Sequence, residues 1–175
     1  MSQTFYCTTP IYYVNSNPHI GHAYTTIVSD AIIRFRRLFG EDAYFLTGTD
    51  EHGQKIAESA AKAKMEPQAF VDMMTQKFRE LWPELHIEPD QFIRTTEERH
   101  KQIVQQILQQ IYDNGEIFLK EYEGHYCVGC EEFLNESELV EGKCPIHQTV
   151  PEFRQERNYF FRMSAYQDWL VQMLK

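Results

Sequence analysis

The sequence predicts an α/β fold that opens on a parallel sheet and carries a cysteine-rich insert. Three observations point there. A short aromatic and β-branched run, Thr4-Phe5-Tyr6-Cys7-Thr8-Thr9, stops at Pro10 and reads as a buried strand. A helical apolar rhythm then begins near Ile20 and gives way to a second short strand, Ala43-Tyr44-Phe45-Leu46-Thr47. Strand, turn, helix, strand is how parallel sheets begin. From Ile117 onward the texture changes to short β-like runs that hold three of the four cysteines.

Each element has a local reason. The turn-rich Asn15-Ser16-Asn17-Pro18 separates the first strand from the first helix, whose apolar face is Tyr24, Ile27, Val28, Ala31, Ile32, Phe35 and Leu38. Arg34, Arg36 and Arg37 crowd its last turn, where the helix dipole favours cations, and Gly40 fits the stop. Gln54 to Lys64 is helical by composition. A further helix starts at Pro67, a good first-turn residue, and runs through Phe70, Met74, Phe78 and Leu81. Thr95-Thr96-Glu97-Glu98 matches a capping box for another, lined by Ile103, Val104, Ile107, Leu108 and Ile111 and closed by Asn114-Gly115. Residues 166–175 read as a helix in progress, which suggests truncation.

Composition narrows the function classes. With 175 residues, 42% apolar and 14% aromatic, the chain has enough material for one compact domain carrying a smaller insert. The formal net charge of -9 repels polyanions and no Lys/Arg run offsets it, so RNA contact cannot be argued from charge. Met1-Ser2-Gln3-Thr4-Phe5-Tyr6 lacks the pattern of a signal peptide, and no apolar run reaches 18 residues, so a membrane is not expected and a cytoplasmic location is.

Pro18-His19-Ile20-Gly21-His22 falls where the first strand hands over to a helix. A helix N-terminus beside a parallel sheet's carboxyl edge favours phosphate. His19 and His22, three apart, share a face of the first turn and can donate to phosphate oxygens. Gly21, lacking Cβ, lets a flat purine approach the backbone. The same spacing also fits half of a metal site, with only His52 as a nearby partner, or plain polar surface. The strand-to-helix context favours the nucleotide. Asp50, before Glu51-His52-Gly53, is suited equally to capping a helix or to binding a cation.

Cys127-Val128-Gly129-Cys130 and Cys144-Pro145-Ile146-His147 form two knuckle halves separated by 13 residues. Three thiolates and an imidazole complete a tetrahedron around Zn²⁺ and leave no position for water, which marks a structural site. Disulfide pairing strands one of the three cysteines. His125 is the rival fourth ligand, outside the paired spacing.

His19-Ile20-Gly21-His22 resembles the HIGH signature of class I aminoacyl-tRNA synthetases. Thr9-Pro10-Ile11-Tyr12-Tyr13-Val14-Asn15, Thr47-Gly48-Thr49-Asp50-Glu51-His52-Gly53 and Phe92-Ile93-Arg94-Thr95-Thr96-Glu97-Glu98-Arg99-His100 are similar to the methionyl-tRNA synthetase family in particular. That resemblance implies the first half of a Rossmann-like nucleotide-binding fold over 1–115 and a zinc-knuckle connective-peptide insert over 116–160. Residues 161–175 would then begin a helix leading to an absent second half. It implies a ligase that activates L-methionine with ATP and Mg²⁺ and transfers it to tRNA(Met), contacting the tRNA through regions mostly absent here. His19 and His22 would be catalytic, binding ATP with Gly21. Pro10, Ile11, Tyr13 and Asp50 would bind methionine, with Tyr12 left to packing. The structural zinc would sit on Cys127, Cys130, Cys144 and His147. The family's lysine-containing KMSKS loop does not occur within these residues, so little turnover is expected from them alone. The alternative is an inactive split or truncated zinc-stabilised binding module.

Overall fold

The structure, a computed structural model, describes residues 4–175. Met1, Ser2 and Gln3, read above as part of a leaderless N-terminus, lie outside the described residues. The chain divides into two compact units, Met1–Gln102 and Ile103–Lys175.

The first unit is built on β3 (Asp42–Asp50), with β1 (Thr4–Thr8), β2 (Tyr12–Tyr13) and β4 (Gln91–Arg94) all pairing parallel to it. β1 matches the first half of β3, Thr4↔Asp42 to Thr8↔Leu46, and β2 matches its end, Tyr12↔Thr49 and Tyr13↔Asp50. β4 runs Leu46↔Gln91 to Thr49↔Arg94. Parallel pairing needs crossovers, supplied by α1 (Ile20–Leu38) before β3 and by α2 (Gln54–Lys62) and α3 (Pro67–Glu84) before β4. Phe45, Phe78, Ile33, Val14 and Val71 are buried to 1% exposure or less and form the centre of the core.

Two expectations are corrected here and one is extended. The apolar stripe of α1 is not its buried face: Tyr24 (70% exposed), Phe35 (58%) and Leu38 (83%) face out, while Thr26, Ser29, Asp30 and Ile33 are buried. Periodicity identifies a stripe but not the side that meets the sheet, and the buried polar groups are satisfied. Thr26 shares a 2.9 Å hydrogen bond with the Tyr12 hydroxyl, and Asp30 accepts from the Glu88 backbone N–H and the Arg34 guanidinium. The arginines crowding the last turn are tethers as well as dipole partners: Arg37 donates to the Asp90 carboxylate at 2.6 Å and to the Ala43 carbonyl at 2.9 Å. Finally, α4 (Glu98–Asp113) starts after the supposed capping threonines, whose hydroxyls are engaged elsewhere.

The second unit contains most of α4 and a three-stranded antiparallel sheet in the order β6-β5-β7, comprising β5 (Ile117–Cys127), β6 (Glu132–Leu134) and β7 (Glu152–Phe161). The short β-like runs are therefore two long strands paired from Ile117↔Phe161 to Tyr126↔Glu152. The helical ending, α5 (Gln167–Met173), follows a 3₁₀ turn. No helix among the described residues is long and apolar enough to cross a membrane.

Gly48 allows a very close approach in the first unit: a Cβ there would lie 2.2 Å from the Ile93 carbonyl oxygen across the β3–β4 pair. Because that neighbour is backbone, it cannot yield without breaking the pairing. Gly48→Ala is expected to cost about 3 kcal/mol, the upper range for overpacking, read as a lowered urea midpoint.

Candidate functional site

Backbone N–H groups in the first turn of a helix have no helical acceptor. At the start of α1 two imidazoles take that role. His19 is the N-cap, its Nδ1 accepting from the Gly21 N–H at 3.1 Å, and the His22 Nδ1 accepts from the His19 N–H at 3.2 Å. The arrangement is a capping box built from histidines. An Nδ1 that accepts cannot carry a proton, so each neutral ring bears its hydrogen on Nε2. The rings stack at 3.7 Å between centroids, and the His22 ring also packs against Tyr12 and Phe78. Partial burial, and then the neighbouring His19, lower the His22 pKa and keep it neutral near pH 7. Gly21 is exposed, and a Cβ there would come 3.0 Å from the His19 ring, so the glycine preserves the ring's place.

The methionine-site candidates lie at the carboxyl edge of the same sheet. Pro10 and Ile11 are exposed in the link between β1 and β2, where the Thr9 hydroxyl donates to the Pro10 carbonyl at 2.9 Å. Tyr13 is opposite Asp50 in the β2–β3 register, its ring 38% exposed, with the Lys55 ammonium 5.8 Å from its centroid. Tyr12 is buried, as a packing residue should be, with its ring near Phe78 and Trp82. Asp50 ends β3 and does not cap α2, whose N-cap is Gly53 at φ 107°. His52 donates its ring N–H to the Thr95 carbonyl at 3.2 Å rather than joining the histidine pair. Register thus puts His22, through Tyr12, beside the strand pair that ends at Asp50.

A buried ionic network, which no spacing pattern in the sequence marks, lies directly behind Asp50. The Glu51 side chain has no exposed surface, and Arg94 donates to both its oxygens, at 2.7 and 2.9 Å. Thr49 and Thr75 donate to Oε1 at 2.7 and 2.5 Å, and Thr96 donates to Oε2. Burial alone would raise the Glu51 pKa, but the hydrogen bonds from Arg94, Thr75, Thr96 and Thr49 outweigh it and lower it. The Glu51 carboxylate in turn raises the Arg94 pKa. The one sequence signal was a Glu within the Gly48–Gly53 run, and charge alone cannot announce burial without its partner.

In the second unit, Cys127, Cys130, Cys144 and His147 offer ligand atoms that all lie within 4.8 Å of one another. Cys130 Sγ is 3.5 Å from Cys144 Sγ and 3.3 Å from His147 Nδ1; Cys127 Sγ and Cys144 Sγ are each 3.8 Å from that nitrogen. Zn–S bonds of about 2.3 Å and Zn–N bonds of about 2.0–2.1 Å give tetrahedral edges of roughly 3.5–3.8 Å, close to these separations, so the donor set fits the ion. All cysteines are free thiols, which removes the disulfide alternative. The backbone N–H of Cys130 lowers the Cys127 pKa, while burial raises that of Cys130. His125, the rival ligand, instead packs its ring against Phe153. Gly129 is part of the cradle: a Cβ there would meet the His147 ring at 2.5 Å. Among the described residues this is the one group of three or more such side chains able to hold a metal, which leaves His19 and His22 outside any metal cluster.

The family profile described as tRNA synthetases class I (M) matches residues 5–150. The chain belongs to that family. It is 53% identical over 174 residues to the methionine–tRNA ligase of Thermosynechococcus vestitus, covering 98% of this chain and 33% of that protein. It is 52% identical over 171 residues to that of Thermotoga maritima, covering 95% and 27%. A crystal structure of Mycobacterium tuberculosis methionyl-tRNA synthetase in complex with methionyl-adenylate superposes with a TM-score of 0.91 at 41% identity, over 98% of this chain and 34% of that one. The chain therefore spans about a third or less of the length of these relatives. Its fold is the Rossmann-like fold of class I synthetases, with the Cys₃His cluster in place.

Two predictions come from this geometry. Arg94→Met strands a buried carboxylate, and unfolding stability should fall by about 3–5 kcal/mol at neutral pH. Because the folded Glu51 pKa is depressed, the pair's contribution is full above the unfolded value near ~4.3 and is lost as pH falls through the folded one. The gap between variant and wild type should accordingly narrow in acid unfolding below about pH 4. For the metal, chelation should speed amide exchange around Cys127–His147 and leave the α1 amides protected; equal protection with and without chelator would remove the metal from the folding account.

Proposed function

We propose that this chain carries the methionine- and ATP-binding part of a methionine–tRNA ligase that forms methionyl-adenylate and passes the methionyl group to tRNA(Met). The observation that carries the reading is the histidine capping box: both Nδ1 atoms are engaged with backbone, so both Nε2–H groups remain as donors at a helix N-terminus. On this reading the L-methionine carboxylate attacks the α-phosphorus of ATP, bound with Mg²⁺, and pyrophosphate leaves. His19 and His22 stabilise the charge that develops on the phosphate oxygens, and Gly21 leaves room for adenine. This is electrostatic catalysis by donors already in place, with no covalent intermediate on the protein.

Asp50 would accept the methionine ammonium, Pro10 and Ile11 would supply backbone beside it, and Tyr13 would flank the thioether, where a sulfur–aromatic contact contributes about 0.3–1.5 kcal/mol. Residues 1–115 form the nucleotide-binding half in this proposal, 116–160 the metal-stapled insert and 161–175 a connecting segment. Zn²⁺ on Cys127, Cys130, Cys144 and His147 would be structural, since four protein ligands leave none for water. The KMSKS-type lysine that would share the phosphate charge does not occur in these 175 residues, so they alone would turn over little or not at all. A cytoplasmic location belongs to the same reading.

The test is methionine-dependent exchange of pyrophosphate into ATP by the full-length polypeptide carrying this sequence. His22→Ala is expected to slow adenylate formation by ~10²–10³-fold with little change in methionine affinity. Absence of exchange in the unaltered protein, or a variant that only binds methionine more weakly, would refute the assignment.

A further inference from the structure

Asp50 has the exposure a cation-binding carboxylate needs, but its orientation is set from behind. Thr95 is 8% exposed and held at three points: its N–H donates to the Thr49 carbonyl at 3.3 Å, its carbonyl accepts from the His52 ring, and its hydroxyl accepts from the Glu51 N–H at 2.8 Å. A hydroxyl has a single hydrogen. With its oxygen occupied by Glu51, that hydrogen points to the Asp50 Oδ1, 3.4 Å away, and the His52 N–H reaches the same oxygen at 3.5 Å. Oδ2 has no hydrogen-bond partner among the described residues. The carboxylate is therefore presented with one oxygen steered by protein and the other open.

We propose that Thr95 is a positioning residue for the amino acid's ammonium, acting through Asp50, and that the buried Glu51–Arg94 pair exists to fix Thr95. The inference rests on the reading of Asp50 as the ammonium acceptor. The long separation leaves the carboxylate room to tighten onto an incoming cation, as polar contacts of unliganded sites commonly do. Glu51 supplies both the backbone N–H that orients Thr95 and the carboxylate that locks Arg94 one residue before it. The two roles converge on one side chain in contact with Asp50.

The experiment compares Thr95→Val, Thr95→Ser, Asp50→Asn and the Thr95→Val/Asp50→Asn double variant in the full-length polypeptide, by steady-state pyrophosphate exchange. Thr95→Val is expected to raise KM for methionine about tenfold, leaving KM for ATP and kcat within about twofold. Thr95→Ser should restore methionine KM, and Thr95→Val should add nothing once Asp50 is Asn. If Thr95→Val does not fold, Thr95→Ala is read the same way against Thr95→Ser. A methionine KM unmoved by loss of the hydroxyl while Asp50→Asn raises it, or a valine effect that persists in the Asp50→Asn background, overturns the positioning role and spares the acceptor. A methionine KM unmoved by Asp50→Asn overturns the acceptor and the inference with it.

Discussion

The start of α1 obeys one constraint from which the rest of the site follows: exposed backbone N–H groups require acceptors, and imidazole nitrogens provide them. Serine or aspartate would cap the helix as well. A histidine does it while keeping a second nitrogen, whose state is dictated by the first. Each Nδ1 spent on backbone leaves the ring hydrogen on Nε2, so the fold sets the tautomer that an anion would need. The partial burial of His22, and then the neighbouring His19 ring, oppose protonation of His22, which would break its acceptance from the His19 N–H. The two contacts that start the helix therefore also fix which ring nitrogen carries the hydrogen.

Behind the opposite side of the site the solution is ionic. A buried carboxylate is tolerable only with full hydrogen bonding, and Glu51 obtains it from a guanidinium and three threonines. Those partners come from β3, α3, β4 and the approach to α4, so the cost of burying Glu51 is offset only when all of these elements are in register. A hydrophobic residue at the same point would hold the elements together too, but it would specify no orientation for the hydroxyl next to Asp50. The polar network converts packing into direction.

How much of this was legible in the sequence depends on how local each signal was. The β1–α1–β3 opening and the knuckle spacing are contiguous patterns and were read correctly, as was Tyr12 as packing. β2 and β4 escaped because two- and four-residue strands carry no periodicity, and they exist through pairing with β3. The apolar side of α1 was visible while its direction was not, because a stripe has no label for inside and outside. Thr95 and Thr96 offered a helix cap on sequence grounds, and tertiary partners more than 40 residues away claimed their hydroxyls first. Glu51, Arg94 and Gly129 act only through residues distant in sequence, so no local pattern could single them out.

The two units also differ in what holds them. The first has a continuous aromatic and aliphatic core, from Val14 and Phe45 to Phe78 and Trp82. In the second, the buried residues are Cys127, Cys144 and Pro151, and no residue of α4 is buried. A long antiparallel pair with so little apolar burial has weak means of fixing its far end against chain entropy. The sulfur cluster lies at that end, where β5 finishes at Cys127 and β6 begins within five residues. The ligand atoms of three cysteines and an imidazole lie within 4.8 Å of one another, and thiolates brought that close repel unless a cation lies between them. A divalent ion bound there would reverse that sign and tie the turn after β5 to the segment before β7. With such an ion the four side chains would constrain the sheet's far end, where Cys127 and Cys144 occupy buried positions that elsewhere in the chain belong to Phe and Val.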